Sequence, residues 1–197
     1  MSLNVGLIAL EGNHLADLLE FFGDFGYRLA GVDWLETSAA ANLIHTPHPT
    51  GNVDYKPVYY DATWTIIVDP DFSLACNSEA LSTFSRDNSC RVCTCICNGK
   101  SANYRLLLNA ADGSIARAIE VDHGRVVRSE GTQLKGEPET ADGMDEAGTL
   151  ALFARVVSAY DNFEVEREYT VYSLVHKERE RLSIIPKPKK KPWWKFW

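Results

Sequence analysis

Residues 90–129 read CRVCTCICNGKSANYRLLLNAADGSIARAIEVDHGRVVRS, four short runs separated by turn dipeptides. The runs are Cys90–Cys97, Asn103–Asn109, Ser114–Val121 and Arg125–Ser129, and the separators contain Asn98-Gly99, Asp112-Gly113 and His123-Gly124. Glycine and Asn/Asp tolerate the positive φ that tight turns require, so each run is expected to pair with the next. The stretch predicts an antiparallel meander.

Toward the N-terminus, Ser78–Arg86 has the pattern of a helix capped by Asn77 or Ser78, and Tyr59–Val68 is an aromatic and β-branched run that stops at Asp69-Pro70. That run reads as a strand. His45–Lys56 is polar and contains proline, which predicts a surface loop. Tyr27–Leu35 and Asn4–Leu10 read as two more strands. Between them Leu15, Leu18, Leu19 and Phe22 recur at helical spacing, with Asn13 available as N-cap and Gly23 and Gly26 as stops.

Toward the C-terminus, Gly131–Gly143 is acidic and broken by Gly and Pro, an expected exposed loop. Asp145 opens a helix with Leu150, Phe153, Val157 and Tyr160 on one face. Phe163, Val165, Tyr169, Val171 and Val175 then alternate with Glu164, Glu166 and Glu168, as in a strand with one wet face. The expected class is α+β: an antiparallel β-meander sheet with two to three packed helices. Residues 1–185 form one domain in this reading, and residues 186–197 an extended C-terminal tail.

Composition narrows the function classes. At 197 residues and 45 % hydrophobic the chain suffices for one core of ordinary size. No apolar run approaches the roughly 20 residues of a membrane-spanning helix, and MSLNVGLIALEGN is a poor match to a secretory signal, so a cytoplasmic location is expected. The net charge of −7 is unevenly placed. Five lysines and no acid follow Pro186, which leaves the remainder with fifteen basic against twenty-seven acidic residues, a balance of −12. Duplex nucleic acid needs cations clustered over a face and is not an expected partner.

Cys90 and Cys93 have C-x-x-C spacing, and Cys95 and Cys97 add thiols that suit a soft metal. Strand alternation places Cys93, Cys95 and Cys97 on one face and Cys90 on the other, with same-face neighbours about 7 Å apart. A four-thiolate site does not form from such a strand, and packed, reduced thiols are expected. His45 and His48, with Asp54, have ligand chemistry but no helix to fix their geometry. No metal or cofactor is expected. Neither a nucleophile elbow nor a glycine-rich phosphate loop occurs, and His14, His123 and His176 read as capping or surface residues.

The tail carries the most specific pattern. Ile184–Trp197 reads IIPKPKKKPWWKFW, in which Lys187, Lys189, Lys190, Lys191, Trp193, Trp194, Lys195, Phe196 and Trp197 are the expected binding residues. Proline favours extended chain, lysine keeps it solvated, and tryptophan at this density calls for a partner. The segment resembles Trp-, Pro- and Lys-rich membrane-active peptides in composition, which implies affinity for an anionic membrane surface. A protein groove that reads a Pro-rich segment is the other expected partner.

The sequence therefore predicts a non-catalytic intracellular interaction protein, cytoplasmic and peripherally membrane-associated through its tail. Its acidic body would steer a basic partner, and an inhibitor- or immunity-like role is one form of this. The alternative is an enzyme or small-ligand-binding protein with a cleft beside the meander.

Overall fold

The computed structural model describes residues 4–45, 53–138, 144–158, 160 and 166–178. Their strands are β1 (Asn4–Glu11), β2 (Tyr27–Glu36), β3 (Val53–Tyr60), β4 (Trp64–Asp69), β5 (Val92–Asn98), β6 (Asn103–Asn109), β7 (Ile115–Asp122), β8 (Arg125–Gly131) and β9 (Glu168–His176). They form one nine-stranded sheet in the order β2-β9-β3-β4-β1-β5-β6-β7-β8, antiparallel in every ladder. Among the described residues four helices accompany it: α1 (Leu18–Asp24), α2 (Thr37–His45), α3 (Ser78–Asp87) and α4 (Glu146–Val156). The class is α+β, as the sequence predicts.

The central strands explain why the sheet forms where it does. β1 and β4 are buried along nearly their whole length, so both faces of each must be apolar, and they read as continuous hydrophobic runs instead of alternating ones. One face packs Leu7, Trp64, the thiols of Cys93, Cys95 and Cys97, and Phe153 of α4. The other packs Ile8, Ile67 and Val92 against Phe21 and Phe22 of α1 and Phe84 of α3. Gly6 permits the closest approach in this layer: a Cβ there would lie 2.9 Å from the Cβ of Ala75.

The meander β5–β8 follows the predicted runs. His123 and Gly124 both have positive φ, 48° and 75°, the backbone of a two-residue hairpin that joins Asp122 to Arg125. At the first turn the left-handed residue is Ala102, with φ 51°. The caps also hold: Asn77 accepts the N–H of Ala80 and Asp145 that of Gly148, each satisfying an otherwise orphaned helical donor. Helix α1 starts later than the apolar spacing suggests, and Asn13 bonds the N–H of Leu15 in the preceding turn.

Three segments differ from expectation. Tyr59–Val68 is not one strand but the end of β3, a turn at Ala62 (φ 64°) and then β4. Both arms are apolar, so composition alone does not mark the reversal. His45–Lys56 is not a loop throughout: His45 ends α2, and Val53–Lys56 opens β3. Pro57 lacks an N–H to donate, and the β3–β4 ladder ends beside it at Val58–Ile67 while pairing with β9 continues to Val53. Gly131–Gly143 is drawn in at Glu137, whose carboxylate binds the buried guanidinium of Arg117. His48, residues 139–143, Phe163–Val165 and the tail 186–197 lie outside the described residues.

Candidate functional site

Among the described residues, those singled out by spacing form no metal-ligating group, although the thiols of Cys95 and Cys97 lie 3.7 Å apart. Cys90 sits in the core layer under α1 and α3, Cys93 in the layer under α4, so the sheet stands between the two thiols. Burial pushes the Cys90 thiol up to about 11 and Cys93 further, and Cys76, apart from the cluster, is raised for the same reason. Each is a protonated thiol near neutral pH and not a ready nucleophile. His14 braces the approach to α1, its ring between the Glu11 carbonyl at 2.9 Å and Asp17 at 3.1 Å. His123 is in the β7–β8 turn, and His176 stacks edge-on against Tyr27 at 5.0 Å.

The structure assembles a charge cluster that spacing did not show. Lys56 is fully buried on β3, and its ammonium binds both Asp69, at the end of β4, and Asp71 in the following turn. It also donates to Ser73 Oγ at 3.0 Å and lies 6.0 Å from the centre of the Tyr27 ring. Asp69 Oδ2 accepts the N–H groups of Leu74 and Ala75 at 2.9 and 2.8 Å. Asp71 Oδ1 accepts the N–H and hydroxyl of Ser73 at 3.2 and 2.8 Å. One cation thus fastens residues 71–75 to the sheet.

Electrostatics fit a clamp better than a reactive amine. Burial disfavours the Lys56 charge, but the carboxylates of Asp69 and Asp71 outweigh it and raise its pKa. Burial pushes Asp69 up to about 6 against the pull of Lys56. Against the same cost of burial, the charge of Lys56 and the hydrogen bonds that Lys56 and Ser73 donate hold Asp71 below the usual carboxylate range. Burial also lifts the Tyr27 phenol to about 12. A protonated, covered Lys56 holds chain segments together.

The clamped loop forms one wall of a cleft of about 330 Å³ beside the meander. Phe72, at a left-handed φ of 62°, and Cys76 face Ile96, Arg105, Glu120 and Val127 across it. An aromatic residue in that backbone region is a strained position, held by the bonds of its neighbours to Lys56. The charged groups of the opposite wall already pair: Arg105 bonds Ser78 Oγ and lies 3.4 Å from Glu120, which also meets Arg128 at 3.3 Å.

The second candidate surface is the sheet edge at β2. This strand has ten residues, and its burial runs from buried Tyr27 through mostly exposed positions to Glu36. Leu29, Val32 and Trp34 stand opposite Leu174, Tyr172 and Thr170 of β9 and therefore share one face, with 39, 36 and 65 % of their surfaces exposed. Among the described residues no strand pairs with its other side, and a strand twice the usual length, with apolar side chains and an open ladder side, is a template for another chain. The sequence shows the strand; that it lies at an edge needs a pairing with β9 across more than a hundred residues.

No family model, curated protein or solved structure matches this chain.

Proposed function

We propose that this chain is a non-catalytic, cytoplasmic interaction protein whose acidic body docks a partner's strand along β2. The basic, aromatic segment 186–197 is proposed to supply a second attachment, to an anionic membrane surface or to a protein groove. The open β2 edge with exposed Leu29, Val32 and Trp34 carries the reading, because main-chain donors and acceptors there supply affinity and the apolar side chains supply selectivity. An inhibitor- or immunity-like role against a basic partner is consistent with the −12 balance outside the tail.

The test compares partners captured from native cells by the intact protein and by a Val32→Lys/Trp34→Lys variant, with Val127→Lys at the opposite edge as control. Partners lost only with the β2 variant support the reading. Partners retained by it would remove β2 from the interaction. Co-sedimentation of full-length and tail-deleted protein with anionic and neutral vesicles tests the second attachment, whose binding is expected to weaken with salt.

The cleft beside the meander favours a second reading, a small-ligand binder. Its volume falls at the lower end of the range for ligand sites, and the strained Phe72 is the kind of residue found in ligand clamps. The paired charges on its wall make it the weaker of the two.

A further inference from the structure

We infer that, in the protein without partners, the apolar stripe of β2 is covered by the chain's own segment 186–197, and that an anionic membrane surface uncovers it by drawing that segment off. This rests on the reading of β2 as the docking edge and names what regulates it. Leu29, Val32 and Trp34 lie on one face, and the next position along that face sets Glu36 directly opposite Glu168 of β9. Both glutamates are exposed, and among the described residues no cation pairs with either. Like charges directly opposite each other destabilise a ladder, and a cation set between them relieves it. The stripe is therefore apolar along its length and acidic at its end.

Segment 186–197 has the complementary chemistry: five lysines, three tryptophans and one phenylalanine, with no acid. Lys195 lies between Trp194 and Phe196, so an ammonium and aromatic rings arrive together, as Trp34 and the Glu36–Glu168 pair stand together on the sheet. The rings cover Trp34 and Val32 while lysine meets the carboxylates. Three prolines without N–H groups keep the segment from forming a regular ladder, so side chains make the contact.

Connectivity brings the segment to this place. β9 ends beside the start of β2, where the Lys177 N–H bonds the Gly26 carbonyl at 2.9 Å. Trp193 follows Glu178 by fifteen residues, about 50 Å of extended chain, whereas Tyr27 to Glu36 spans only about 30 Å. A tethered segment acts at an effective concentration on the order of millimolar, so a contact of submillimolar strength suffices to close it. An anionic surface takes up the same lysines that the glutamates hold, so the two compete.

The experiment follows the stripe with the neutral dye Nile red and the segment with vesicles of phosphatidylserine and phosphatidylcholine. Removal of residues 186–197 is expected to raise Nile red binding, and the same removal in Val32→Ser/Trp34→Ser protein is expected to leave it unchanged. In full-length protein Trp34→Ser or Glu36→Gln is expected to strengthen vesicle binding roughly two- to fourfold, because the competing closed state is lost. Glu130→Gln removes the same charge at the opposite edge and is expected to have no effect. Equal Nile red binding with and without the segment, or no gain in vesicle binding from Trp34→Ser, would overturn the inference. So would a dimer in sedimentation velocity that disappears on removal of the segment, since the contact would then lie between chains. Capture of partners by the Val32→Lys/Trp34→Lys variant reads the docking edge without reference to the segment, so the two readings fail separately.

Discussion

The two edges of the sheet solve the same problem in opposite ways. β8 is seven residues long, carries Arg125, Arg128 and Glu130, and bulges against β7 between Glu120 and Val121. Its Arg128 is held by Glu120 at 3.3 Å and Glu130 at 2.8 Å, and Val127 is its one large exposed apolar side chain. β2 is ten residues long, with three large apolar side chains exposed on a single face. Each edge ladder has one bulge, so the difference is one of side chains: charge takes three of the seven positions of β8 and makes it a poor template, whereas β2 carries an apolar stripe. The difference teaches that exposure of an edge is not by itself a signal; its residue chemistry is.

Each half of the sheet also buries one ion cluster, and the largest expected effects lie there. Lys56→Met removes the cation and leaves the carboxylates of Asp69 and Asp71 buried without it. Breaking a buried pair in this way costs about 3–5 kcal/mol. At about 2–4 °C per kcal/mol for a chain of this size, melting is expected to fall by roughly 6–20 °C. An unchanged melting temperature would mean that the clamp does not hold residues 71–75.

The same substitution separates the alkaline limb of stability. The folded-state pKa of Lys56 is raised, so its contribution is complete below about pH 10.5 and is lost as pH rises through the folded value. The stability difference between wild type and Lys56→Met should therefore shrink above that pH. The raised Tyr27 phenol remains in both proteins, so it largely cancels in the comparison. A difference that stays constant to high pH would show that the lost contribution is packing and not charge.

Arg117→Met is the matched change in the β8 half. Arg117 binds Glu137 through Nε at 2.9 Å and donates to the Glu130 carbonyl at 2.7 Å and Ser129 Oγ at 2.9 Å. Glu137 sits in a surface segment that can turn its carboxylate to water, so roughly 1–3 kcal/mol is expected, less than for Lys56. Chemical denaturation of the two variants side by side checks the order.

Smaller still are the effects on stability of lysine at the edges. Trp34→Lys and Val127→Lys should each stay within about 0.5 kcal/mol of wild type, as surface changes do. Only the first is expected to alter association, and an equal effect from both would erase the contrast between the edges. Removal of residues 186–197 is expected to leave the melting temperature where it is and to abolish vesicle binding.

The meander, α3 and α4 were legible because their determinants are local. Turn glycines, Asn77 and Asp145 caps, and alternating side chains act within a few residues of where they stand. The opposite placement of Cys90 and Cys93 follows from strand alternation in the same way. Helix α2 and the β3–β4 reversal were missed, since Thr37–His45 has no strong capping pattern and the residues on either side of the turn, Val58–Tyr60 and Trp64–Val68, are both aromatic or β-branched in the main.

Lys56 shows where sequence reading ends. A lysine in a polar, proline-containing stretch reads as solvated, because a buried ammonium is costly unless it is paired. Its partners lie thirteen and fifteen residues on, past a reversal that composition did not show. The exposed face of β2 has the same origin: β9 inserts between β2 and β3, and only that long-range insertion makes β2 an edge. Sequence by itself determined the fold class, the local turns and caps, and the charge contrast between body and tail. Tertiary structure alone decided which charges are buried and which apolar strand is left open, because strand pairing joins residues that no local pattern connects.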